Sequence, residues 1–84
     1  MSVTITVNWA STEDKLAGPE FAVERNTKLE SMKTEGKLIK INQSNLSTSA
    51  SLIFNTQSEA EEWKTFIEGL ATKYNKTILS VVIE

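Results

Sequence analysis

The most constraining feature of this sequence is a segment in which apolar residues recur every three or four positions. It runs over residues 58–75, and its apolar members are Ala60, Trp63, Phe66, Ile67, Leu70, Ala71 and Tyr74. This spacing places them on one face of an α-helix and leaves the other face polar. Thr56 precedes Glu59 by three positions, a capping-box spacing that marks the start of the helix. Whatever the fold, it must provide an apolar surface for this helix to cover.

A different period governs the N-terminal stretch VTITVNW, residues 3–9, where apolar and polar side chains alternate. Its β-branched residues predict a strand with one buried face. Three later stretches, at 37–43, 50–56 and 77–84, predict further strands. The first two of these are joined by a loop at 44–49 that is rich in Ser, Asn and Thr, so we expect them to form a hairpin.

The segment between the first two strands fits two structures. Residues 19–34 carry a loose helical stripe, formed by Phe21, Leu29, Met32 and the aliphatic stem of Arg25. Pro19 suits the first residue of such a helix. Phe21 and Val23 are also two positions apart, so a short strand followed by a hairpin through Glu35 and Gly36 stays open as the alternative.

With a helix at 19–34, the chain follows the order strand, helix, strand, strand, helix, strand. This order predicts a ferredoxin-like α+β fold, βαββαβ, with a four-stranded antiparallel sheet and both helices on one face. A chain of 84 residues is too short for two separate cores, so we expect one domain over residues 1–84.

The two-residue period also predicts the face of the sheet that points away from the helices. That face is expected to carry Thr4, Thr6, Asn8, Leu38, Lys40, Asn42, Ser51, Ile53, Asn55, Ile78, Ser80 and Val82. The same period places Ile39 and Leu79 on the helix-packed face, and it predicts that both faces of the last strand are covered.

The predicted outer face is one third apolar and carries little charge, which is typical of a contact surface. Its simplest use is a homodimer that meets sheet to sheet. The dimer contacts would come from Thr4, Thr6, Ile53, Ile78 and Val82. A small-ligand pocket between the sheet and the helices is a second use.

The missing residue types exclude several chemistries. Neither Cys nor His occurs, so the chain lacks a thiolate nucleophile, disulfides and the commonest metal ligand. We therefore expect no metal and no cofactor. The net charge of −2 has the wrong sign for a phosphate backbone, so no nucleic-acid partner is expected. The N-terminus does not resemble a signal peptide and no apolar run is long enough to span a bilayer, which favours a cytoplasmic protein without membrane association.

Three short motifs lie along the predicted elements. They are Phe21 with Leu29 and Glu30 ahead of Glu35-Gly36 and a strand, Phe54 followed by Ser58-Glu59-Ala60 and Trp63, and Asn8 in the first strand. With the predicted topology, they resemble the dimeric α/β-barrel superfamily, the antibiotic-biosynthesis-monooxygenase-like proteins. In that superfamily two ferredoxin-like subunits pack their sheets together, so the resemblance implies a homodimer.

The resemblance also implies candidate site residues. Members that oxidise substrates without a cofactor, and related haem-degrading enzymes, use an Asn of the first strand and a Trp of the second helix, which match Asn8 and Trp63. The haem-degrading members also need a histidine late in that helix, where this chain has Lys73 and Tyr74, so haem is not implied. Tyr74 is a third candidate ligand-binding residue, because its hydroxyl can donate a proton.

These observations favour a small homodimeric binding or accessory protein without catalysis. A cofactor-independent, monooxygenase-like enzyme acting on a small molecule is the alternative, with Asn8 and Trp63 lining the pocket. A small regulator that binds and inhibits a host protein is a third hypothesis, which leaves no signature in a sequence. A strand Asn at a subunit interface and a Trp in the core explain both residues without catalysis.

Overall fold

Strands and helices follow one another in the predicted order βαββαβ. The computed structural model describes residues 2–11, 13, 18–43 and 48–84. Within them the elements are β1 Val3–Trp9, α1 Gly18–Thr34, β2 Leu38–Gln43, β3 Ser49–Phe54, α2 Gln57–Lys73 and β4 Ile78–Ile83. The predicted loop at 44–49 falls mostly outside the described residues. The helical interpretation of 19–34 is confirmed, and the strand alternative is wrong.

The four strands form one antiparallel sheet in the order β2-β3-β1-β4. Each helix therefore connects two strands that are consecutive in the chain but not adjacent in the sheet, as the predicted ferredoxin-like fold requires. The central strands β3 and β1 are each paired on both sides, whereas β2 and β4 are the edges. The predicted fold class is confirmed.

Both helices end in a Schellman motif, which satisfies their last carbonyl groups. In α1, Gly36 has a φ of 77°, and the Lys37 N–H donates to the Met32 carbonyl at 2.9 Å. In α2, Asn75 takes the left-handed conformation with a φ of 58°, and the N–H at position 76 donates to the Ala71 carbonyl at 2.8 Å. Gly and Asn tolerate this conformation better than other residues do. These two positions fix where each helix turns back towards the sheet.

The core lies between the helix layer and one face of the sheet. Its buried side chains are Ile5, Val7, Trp9, Phe21, Leu29, Met32, Leu38, Leu52, Phe54, Ala60, Trp63, Ile67, Leu70 and Ala71. The stripe predicted at residues 58–75 supplies five of them, and the alternation predicted for β1 supplies three. A single apolar cluster joins all six elements.

Because of a bulge in each edge strand, Leu38, Ile39, Ile78 and Leu79 point to the opposite face from the one predicted. In β4 the register shifts so that Trp9 pairs with Ile78, and Leu79 is 68% exposed. Ile78 therefore packs against the core instead of lying on the outer face, where it was predicted to contribute to a dimer. In β2 the shift pairs Leu38 with Phe54, so Leu38 is buried and Ile39 is 53% exposed. A bulge adds one residue, and one residue reverses the side-chain alternation.

Coverage of β4 also differs from the prediction. Val82 is 41% exposed on the face away from the helices, so that face of the strand is uncovered in the single chain.

Two glycines allow the effect of backbone conformation to be separated from that of packing. A Cβ added at Gly69 or at Gly36 would meet no described atom within 4 Å. Gly69 lies in the interior of α2, whereas Gly36 has a positive φ. We expect Gly69→Ala to raise the free energy of unfolding by about 0.5–1 kcal/mol, because Gly is entropically unfavourable in a helix.

The matched change Gly36→Ala should lower the free energy of unfolding by about 1 kcal/mol, because Ala is strained at a positive φ. Urea denaturation followed by tryptophan fluorescence measures both changes. Shifts of the same sign would contradict this account of the two sites.

Candidate functional site

The face of the sheet opposite the helices carries uncharged side chains of small or medium size. We call it the open face, and it consists of Thr4, Thr6, Asn8, Ser49, Ser51, Ile53, Ser80 and Val82. The predicted dimer residues Thr4, Thr6, Ile53 and Val82 all lie on it. Asn42 was also predicted to lie on this face; its backbone pairs with Ser51, but its side chain is outside what the structure describes.

Hydrogen bonds run across the strands of the open face. The Ser49 hydroxyl donates to Asn8 Oδ1 at 2.6 Å, and Asn8 Nδ2 donates to the Ser80 hydroxyl at 2.9 Å. One row along, the Thr6 and Ser51 hydroxyls are 3.0 Å apart. Both ends of the Asn8 amide are thus held by neighbouring strands, and the amide links β3, β1 and β4.

Charge on this side is confined to the margins of the sheet. Lys40 pairs with Ile53 from the edge strand β2, and Glu84 pairs with Thr4 beyond the last residue of β4. Lys40 and Glu84 thus stand at the two ends of one row across the sheet, and the side chains of the open face itself are hydroxyls, the Asn8 amide, Ile53 and Val82. A sheet face that is bathed in water normally carries more charge than this.

Trp63, the second predicted ligand residue, lies on the opposite side of the sheet within the core. It is 3% exposed, and its ring centroid lies 6.5 Å from that of Phe54 and 5.5 Å from that of Phe66. The indole lines a cavity of about 20 Å³. The cavity walls are Val7, Trp9, Arg25, Ala50, Leu52, Trp63 and Ile67. A space of this size holds roughly one water molecule.

Arg25 is the charged group at this cavity. Its side chain is half-buried, its guanidinium carbon lies 5.9 Å from the Phe21 ring centroid, and its Nε donates to the Asn26 side chain at 3.4 Å. Burial lowers the pKa of the Arg25 guanidinium, which nevertheless stays charged at neutral pH. The sequence analysis used only the aliphatic stem of Arg25, as part of the apolar stripe at 19–34. The guanidinium was not predicted to be a binding group, although a cation within an apolar stripe could have indicated it.

Tyr74, the third predicted ligand residue, joins the two helices. It is the C-cap of α2, and its hydroxyl donates to the Glu24 carboxylate on α1. Lys73 Nζ lies 3.0 Å from the same carboxylate. The Tyr74 ring meets the Phe21 ring edge to face, with centroids 5.9 Å apart. These contacts lower the pKa of Glu24 and raise that of Tyr74, chiefly through their mutual hydrogen bond.

The three predicted ligand residues do not converge. Asn8 lies on the open face, while Trp63 and Tyr74 lie on the helix side of the sheet. Asn8 and Trp63 therefore line no common pocket within one chain.

The chain matches no protein-family model, and no characterised protein matches it. The structure defines the class of fold, a ferredoxin-like α+β domain. Neither helix of the described part is long and apolar enough to cross a membrane.

The contact between Glu24 and Tyr74 predicts a pH dependence of stability. The pKa of Glu24 is lowered from 4.5, first by the Tyr74 hydroxyl and then by Lys73. A lowered carboxyl pKa gives stability that is fully present above pH 4.5 and is lost as the pH falls through the folded-state value. We expect Glu24→Gln to lower the free energy of unfolding at neutral pH, and the difference from wild type to vanish in strong acid.

Urea titrations at several pH values measure this difference. Glu30→Gln is the control, because Glu30 is exposed on the same helix and makes no ion pair with other described residues. An equal loss at all pH values for Glu24→Gln would contradict the assignment.

Proposed function

We propose that the protein is a homodimer whose subunits pack their open faces together, and that it serves as a binding or accessory protein without catalysis. The open face is the observation that supports the dimer, because none of the eight residues that define it is charged. Sheets that pack face to face lie about 10 Å apart, a spacing that suits small and medium side chains.

The hydrogen bonds of the open face support its burial. Removing a polar group from water is unfavourable when the group loses its partner. Thr6 is already within hydrogen-bonding distance of Ser51, and Asn8 is bonded to Ser49 and Ser80. A second sheet could therefore cover these groups without depriving them of partners, while Ile53 and Val82 would supply apolar contact area.

The size of the chain also favours a partner. Its accessible surface is 5022 Å². A standard interface buries about 800 Å² per partner, which is roughly a sixth of this surface. Small domains bury a smaller fraction of their surface on folding than large ones do, so the added burial would matter more here.

Two observations support a role without catalysis. The enzyme hypothesis needs a pocket shared by Asn8 and Trp63, and these residues lie on opposite sides of the sheet. The cavity beside Trp63 measures about 20 Å³, too small to enclose an organic substrate of the size that monooxygenases oxidise.

A charge placed at the centre of the open face tests the dimer. Thr6 lies on the central strand β1, between Ser51 and Val82. In a dimer, Thr6→Lys would bring two like charges into a buried interface, and we expect the dimer dissociation constant to rise at least about a hundredfold. Sedimentation velocity at several protein concentrations measures this constant.

Thr65→Lys is the matched control, because Thr65 is exposed on α2. This variant should dimerise like the wild type, and circular dichroism should show all three proteins folded. A wild-type chain that stays monomeric at high concentration, or a Thr6→Lys variant that dimerises normally, would refute the proposed arrangement.

A further inference from the structure

We infer that the protein binds a short-chain carboxylate, with the carboxylate on the Arg25 guanidinium and the aliphatic tail in the adjoining apolar cavity. The inference deepens the proposed binding role and does not rest on the dimer. The cavity lies on the helix side of the sheet, whereas the proposed dimer uses the open face.

The charge of Arg25 has no counterion in the described part of the chain. Its Nε donates to the neutral side chain of Asn26, at 3.4 Å, and the four ion pairs of the described residues do not include Arg25. Yet the side chain is half-buried and lies against the Phe21 ring. A partly desolvated cation without an anion is unfavourable, and a bound anion would relieve that penalty.

Two other partly buried cations of the described residues are paired with a carboxylate. Lys28 and Lys37 have side chains that are 29% and 30% exposed, and both contact the Glu62 carboxylate, at 2.9 and 3.3 Å. Arg25 differs from them in lacking a carboxylate partner among the described residues, and it borders the small apolar cavity beside Trp63. The planar fork of a guanidinium matches a carboxylate with two parallel hydrogen bonds, so a carboxylate is the anion that fits best.

The lining and volume of the cavity limit the polarity and size of the part of the ligand beyond the carboxylate. Apart from Arg25 its walls are apolar, and they include the rings of Trp9 and Trp63. A volume of about 20 Å³ accepts one methyl-sized group or little more. Acetate and propionate meet both requirements. An inorganic oxyanion would leave the apolar space unfilled, and a longer chain would have to displace Trp63 or Ile67.

Titration of the full chain with propionate tests the inference, with propionamide, sulfate and hexanoate as comparison ligands at constant ionic strength. Because Trp9 and Trp63 line the cavity, tryptophan fluorescence and the indole N–H resonances report on binding. We expect saturable binding of propionate, at least about tenfold weaker binding of propionamide, which lacks the charge, and no gain from hexanoate or sulfate.

Substitution of Arg25 provides a second test of the proposed carboxylate site. Arg25→Met keeps an apolar stem and removes the charge, so we expect at least about tenfold weaker propionate binding and a melting temperature that is not lowered. Arg25→Lys keeps the charge without the fork and should also bind more weakly. Lys33→Met is the control, because it removes a charge from an exposed position of the same helix and should bind like the wild type.

Equal binding of propionate and propionamide, undiminished binding by Arg25→Met, or the absence of saturable propionate binding to the wild type would each overturn the inference. Sedimentation of the ligand-free wild type keeps this result separate from the proposed dimer. A dimer that does not bind propionate would refute the ligand and leave the dimer standing, and a monomer that binds it would do the reverse.

Discussion

The packing of Phe21 is the interaction on which the rest of this structure depends. The ring is fully buried and meets Trp9 of β1 and Tyr74 at the end of α2 edge to face, with centroids 5.7 and 5.9 Å away. One side chain of α1 thereby joins the first strand and the second helix. Aromatic contacts of this kind add to the gain from burial itself. The same ring supports the Arg25 guanidinium, so the position of that charge follows from the core.

The open face and the cavity beside Arg25 lie on opposite sides of the same strand, β1. In β1 the alternation sends Val7 and Trp9 to the cavity, and Thr6 and Asn8 to the open face. Each surface is therefore positioned by a central strand that is hydrogen-bonded on both sides. Large apolar residues on one side and mostly polar ones on the other allow a four-stranded sheet to carry a helix layer and leave its second face uncovered in the single chain.

Periodicity in the sequence was enough to predict the four strands and α2, which carry strong patterns of spacing two and of three and four, whereas at residues 19–34 it favoured a helix but left a strand open. It was not enough to predict which side chains of the edge strands β2 and β4 face the core. The bulges that move Ile78 and Leu38 to the core depend on pairing with Trp9 and Phe54, which are distant in the sequence. Likewise, whether Arg25 meets a carboxylate among the described residues depends on its three-dimensional neighbours. Four of the five predicted dimer residues lie on the open face, while the three predicted ligand residues do not meet.

The two bulges have a consequence for how such a molecule can grow into larger assemblies. They lie in β2 and β4, the strands at the two ends of the sheet. An irregular border interrupts the row of backbone donors and acceptors that a newly added strand would need. Continuous extension into fibrils is thereby disfavoured at either border, which leaves the broad side of the sheet as the route by which copies can associate in a closed, finite complex.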